Sequence, residues 1–170
     1  LIISESGLDF GPFQDSDLFH VEKSELYKKF KNKPKVAEFL VLHSTKTNQL
    51  LWIFEARTSN PKSSNSEDYL NYESEILEKW RNTFDIFVSV RIGRNSDDNG
   101  EVGKNLIQSK LSSVRFVFLL VITNAKADWL IPISNSIKTK LFAFCKIYNI
   151  FPEHIIVLSG DEVKKTGLVI

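Results

Sequence analysis

The chain has 170 residues, 42% of them hydrophobic, enough to bury one core but too few for two comfortable ones, so a single domain over residues 1–170 is expected. Its 22 basic and 21 acidic residues leave a formal charge of +1, so bulk charge favours no nucleic-acid partner and any such partner must be recognised by a local patch. One cysteine, Cys145, excludes an internal disulfide and a cysteine-cluster zinc site and points to a reducing, cytoplasmic setting, while no apolar run approaches the ~20 residues that cross a bilayer.

Residues 1–17 mix Ser, Gly, Asp and Pro with isolated apolar positions and read as an irregular lead-in or a short edge strand. The opening LIISESG lacks the basic and apolar regions of a signal peptide. Asp17 to Glu22, DLFHVE, alternates weakly, and Ser24 then caps a short helix, ELYKKF, that turns Leu26, Tyr27 and Phe30 inward. Lys23, Lys28, Lys29, Lys31, Lys33 and Lys35 follow one another closely here. Such a run is either a solvated face or a set of contacts to a phosphate backbone.

Val36 to Ser59 reads as two strands joined by the polar turn Ser44–Gln49, with Val36 to Leu42 as one β-rich run and Leu50 to Phe54 as the next. Charged residues are costly inside such runs, yet Glu38 interrupts the first and Glu55 ends the second. Two carboxylates on neighbouring strands call for a cation. The period of two puts Arg57 on the same face as Glu55.

The Asn60–Ser66 loop follows, with Ser64 and Glu67 at the spacing of a capping box. Tyr69, Tyr72, Ile76, Trp80 and Phe84 then recur at helical spacing, predicting a helix to at least Asn82 whose aromatic stripe is core rather than a base-stacking platform. Asp85 to Ile92 fits helix by Phe84, Phe87, Val88 and Ile92 and strand by the FVSVRI alternation; helix is the preferred reading. Asn95 to Gly103 is an exposed turn that imitates a calcium loop, but Leu106 stands where a bidentate Glu is required, so calcium is excluded. Val114 to Thr123 reads as a central strand buried on both faces. Pro132 or Ser134 opens a helix with Ile137, Leu141, Phe144, Cys145 and Tyr148 inward, Ile155 to Leu158 forms a last strand, and Ser159 to Lys165 is a polar tail. His20, His43 and His154 lack ligand spacing, so a histidine zinc site is excluded, although His20 or His43 could serve as a base beside the acids. The order implies an α/β fold, a mixed β-sheet flanked by helices.

Glu38 on one strand, with Glu55-Ala56-Arg57 on the next, resembles the signature of the PD-(D/E)xK nuclease superfamily, with Glu for its usual Asp and Arg for its usual Lys. The resemblance implies a restriction-endonuclease-like fold and a metal-dependent nuclease that hydrolyses phosphodiester bonds of DNA. In that picture Glu38 and Glu55 hold Mg²⁺ or Mn²⁺, Arg57 contacts the phosphate and Glu22 is a third acid. Lys28, Lys29, Lys31, Lys33, Lys35 and Lys62 are then candidate DNA contacts, and a homodimer is compatible with the family. Arginine stays protonated and is a poor proton acceptor, which favours an alternative, a catalytically weak or inactive nuclease-fold module that binds nucleic acid or a protein partner. A third reading needs no function: Glu38 and Arg57 form a salt bridge across the hairpin.

Overall fold

The computed structural model describes residues 1–45, 48–61 and 66–170. Strands β1 (Ile3–Glu5) and β2 (Leu8–Phe10) form an antiparallel pair of their own. They are joined through Ser6 and Gly7, whose φ values of 50° and 80° are the two positive angles that a tight two-residue hairpin turn requires. The expected lead-in is therefore a hairpin, separate from the main sheet. After β3 (Leu18–Phe19), the Ser24 hydroxyl accepts the Tyr27 N–H and opens helix α1 (Glu25–Lys28). Strands β4 (Phe39–Ser44) and β5 (Gln49–Arg57) follow, and then helices α2 (Ser66–Arg91) and α3 (Lys104–Gln108). Strand β6 (Val114–Ile122), helix α4 (Ala127–Tyr148), strand β7 (Ile155–Ser159) and helix α5 (Gly160–Lys164) complete the chain.

The main sheet has the order β3-β4-β5-β6-β7, antiparallel from β3 to β5 and parallel from β5 to β7. This mixed pattern follows from the connections. The antiparallel steps need no crossover of the sheet, whereas each parallel step does, supplied by α2 with α3 and then by α4. Alternation along the strands gives the sheet two unlike faces. Leu51, Ile53, Phe118 and Leu120 face α2 and α4, where they meet Ile76, Trp80, Phe84, Ile137 and Leu141. Phe39, Phe54 and Leu119 face the other way and are covered by Ile3, Leu8 and Phe10 of the hairpin and by Val163 of α5. Phe39 and Phe54 stack there with ring centroids 4.5 Å apart.

The helix reading of Asp85–Ile92 holds, since α2 runs through to Arg91 with Ile86 and Phe87 buried. Helix α4 begins at Ala127, ahead of Pro132. The proline lies early in the helix, and Leu130 and Ile133 on either side of it anchor that turn in the core. Its inward set holds for Ile137, Leu141 and Cys145, but Tyr148 stays 42% exposed while its ring meets Phe84 edge-on. Ser159 to Lys165 is a short helix with a complete capping box between Ser159 and Glu162, so the polarity read as a tail belongs to a helix start. Lys62 and Ser64 lie outside the described residues.

Helices α2 and α4 are also tied by an ion pair between the buried Glu73 and Lys140 at the surface. Among the described residues no helix is long and apolar enough to cross a membrane.

Because Trp80 is fully enclosed between α2 and the sheet, Trp80→Ala should destabilise the protein by about 3–5 kcal/mol in urea unfolding. Phe142→Ala, on the exposed side of α4, should change stability by no more than about 0.5 kcal/mol.

Candidate functional site

The hairpin register creates an electrostatic problem. Phe39 pairs with Phe54, and the Glu38 N–H donates to the Phe54 carbonyl at 3.0 Å, so the ladder continues one residue before β4 and sets Glu38 opposite Glu55. Like charges facing each other across a strand pair are destabilising, and these two are 7% and 0% exposed. Glu55 does not end its strand, as the sequence suggested, but lies within β5.

Lys79 of α2 relieves the conflict. Its Nζ lies 2.9 and 3.2 Å from the two Glu55 oxygens and 3.7 Å from Glu38 Oε1. Tyr72, Glu75 and Lys79 recur at helical spacing on α2, so the stripe that buries Ile76 and Trp80 also carries these groups to the ends of β4 and β5. Sequence reading missed Lys79. The available signal was a lysine beside Trp80 on a helix packing over two buried acids.

Arg57 does not reach across to Glu38, so the expected cross-hairpin salt bridge is absent. Its Nε sits 2.7 Å from Glu55 Oε1, off the N–H axis, and its Nη2 donates to Glu75 on α2. The shared face of Glu55 and Arg57 is as the strand period demands, but Arg57 lies further along the strand, toward α2. Burial alone would raise Glu75; the hydrogen bond and charge of Arg57, with Lys35, instead hold it below the usual carboxylate range.

Glu22, in the turn after β3, lies close enough to Glu38 to act on its carboxyl. Burial, then the charge of Glu55, push Glu38 up to about 8 against the pull of Lys79, and Glu5 of β1 adds to the rise. Burial raises Glu55 as well, opposed by Lys79 and Arg57.

Glu38 and Arg57 open onto a cleft lined also by Ser6, Thr58, Asn60 and Tyr72. Glu55 lies behind it. His43 pairs with Leu50 at the far end of the hairpin, away from the acids, whereas His20 packs edge-on against Phe39 and feels the charge of Glu22. The lysine run is largely spoken for by carboxylates: Lys28 is 2.6 Å from Glu25, Lys29 2.8 Å from Asp98, and Lys35 3.8 and 3.9 Å from Glu75 and Glu78. These pairs are exposed and exchange readily, so they leave the lysines accessible to other anions. Lys31 and Lys33 are exposed.

Among the described residues no three His, Cys, Asp or Glu side chains converge as a ready-made metal cage. The donor chemistry nevertheless suits a hard cation. Glu38 and Glu55 are oxygen donors, Mg²⁺ commonly takes only one or two carboxylates and keeps its waters, and the proton held on Glu38 marks negative charge that Lys79 leaves uncompensated. Comparison with known protein families, with curated proteins and with solved structures gives no match.

Lys79→Met should cost about 3–5 kcal/mol at neutral pH, because it removes the cation that donates to both oxygens of the buried Glu55. In urea unfolding the loss should shrink in acid, where the carboxyls are neutral. A second expectation concerns pH. Folded Glu38 keeps its proton up to about 8, whereas the unfolded chain releases it near 4.5, so stability should fall as pH rises between those values. Thermal melts of wild type and Glu38→Gln across this window should diverge by about 2–3 kcal/mol, discounted for partial solvent screening, with the Gln variant gaining toward high pH.

Proposed function

We propose that the cleft is the site of a metal-dependent nuclease acting on phosphodiester bonds of DNA, built on a restriction-endonuclease-like arrangement. The observation that carries the reading is the meeting of Glu38 and Glu55, from adjacent strands, with Lys79 and Arg57 beside an open cleft. The order of an antiparallel meander, a long helix and a strand parallel to the last of the meander supports it.

Glu38 and Glu55 would hold Mg²⁺ or Mn²⁺, which lowers the pKa of a bound water and offsets charge growing on the phosphate. Lys79 holds the two carboxylates in place and has the N–H groups to orient a water beside them. Arg57, steadied by Glu55 and Glu75, keeps further N–H groups free to meet a phosphate oxygen. Glu22, beside Glu38, would be the third acid of the site. Lys28, Lys29, Lys31, Lys33 and Lys35 would hold the strand through its backbone.

One observation favours a second reading, a module of the same fold that binds nucleic acid without cutting it. Lys79 and Arg57 already neutralise much of the acid pair, and Arg57 is committed to two carboxylates.

A plasmid assay separates the two. Wild type should nick supercoiled DNA in Mg²⁺ or Mn²⁺, and Glu55→Gln and Lys79→Ala should each lower the rate by roughly 100-fold or more while remaining folded by circular dichroism. Salt-sensitive binding with no metal-dependent turnover would instead establish the binding module.

A further inference from the structure

We propose that the Tyr72 hydroxyl is a substrate contact, paired with the Arg57 guanidinium as a two-donor cradle for a phosphate oxygen of the bound strand. The identity of that strand rests on the nuclease reading. The donor pair itself rests on the position of Tyr72.

The Tyr72 ring packs against the helix-side core, as the aromatic stripe of α2 requires. Phenylalanine would pack there as well, so the hydroxyl needs its own explanation. Its oxygen is buried and has no hydrogen-bond partner, a costly state for a phenol unless a ligand completes it. The residue lines the same cleft as Glu38 and Arg57, and its charged surroundings are Arg57, Glu55 and Glu75. Those two carboxylates are engaged by Lys79 and Arg57, which leaves the phenol a donor without an acceptor. Burial and the nearby carboxylates keep it protonated, against the pull of Arg57. A neutral O–H donor beside a guanidinium selects an oxyanion rather than a cation. Lys79 and Arg57 balance the charges of Glu55 and Glu75, so an anionic strand is not repelled.

The test uses the full chain as wild type, Tyr72→Phe and Arg57→Gln. Melting curves without ligand come first: Tyr72→Phe should melt at the same or a higher temperature, because it deletes an unpaired buried donor. Binding of a fluorescent 12-nucleotide DNA is then measured by anisotropy over a salt series, and nicking of supercoiled plasmid in Mg²⁺ gives KM and kcat. Tyr72→Phe should weaken binding and raise KM roughly 10-fold while leaving the salt slope unchanged, since it removes a hydrogen bond and no charge. Arg57→Gln should flatten the slope by about one ion. If wild type cleaves and Tyr72→Phe matches it in Kd and KM, the Tyr72 assignment falls and the nuclease reading stands. If wild type binds without cleaving, the nuclease reading falls and the Kd ratio alone decides Tyr72, an unchanged ratio overturning it. If wild type neither binds nor cleaves, both fall.

Discussion

The site is organised by one constraint, the facing of two carboxylates across an antiparallel pair. Once Phe39 pairs with Phe54, Glu38 and Glu55 have no freedom to avoid each other, and burial removes the water that would screen them. Everything close by answers that conflict. Lys79 bridges the two, Arg57 takes the flank of Glu55, Glu75 takes the flank of Arg57, and Glu38 retains its proton well above the usual carboxylate range.

The two faces of the sheet divide the labour. One is sealed by α2 and α4, which form a thick helical layer with a continuous aromatic core. The other is closed by a small hairpin and α5, with Leu168 and Val169 packed beside them. The hairpin turn also brings Ser6 to the cleft and the charge of Glu5 near Glu38, so the element that covers Phe39 and Phe54 helps to shape the mouth of the cleft.

Much of this was legible in the sequence because the signals were local. Two β-rich runs joined by a polar turn placed β4 and β5, period-3.6 aromatics placed α2, and the i, i+2 spacing joined Arg57 to Glu55. Glu22 was legible only through the expected element order. Lys79 was not, since its role depends on which turn of α2 crosses the end of β5, a long-range property that no spacing encodes. The alternative that paired Arg57 with Glu38 followed cross-strand logic, and the carboxylate that Arg57 meets instead, Glu75, came from the same unseen helix. The start of α4 was misplaced because proline is a good marker of a helix start and here sits inside one. The hairpin and α5 were hidden because their Ser, Gly, Asp and Glu residues read as loop until their turn and capping geometry is seen.

The Glu73–Lys140 pair has a consequence for the rotational phase of α2. A helix that met the sheet through apolar groups alone could slide or turn by part of a residue at modest cost. This one is pinned at two points on opposite sides of Ile76, by Glu73 to α4 and by Lys79 to the acids. Each residue advances the helix by about 100°, so an insertion between those points would satisfy one pin only by breaking the other. The interval from Glu73 to Lys79 therefore behaves as a fixed gauge, in which a substitution is tolerated but a change of length is not.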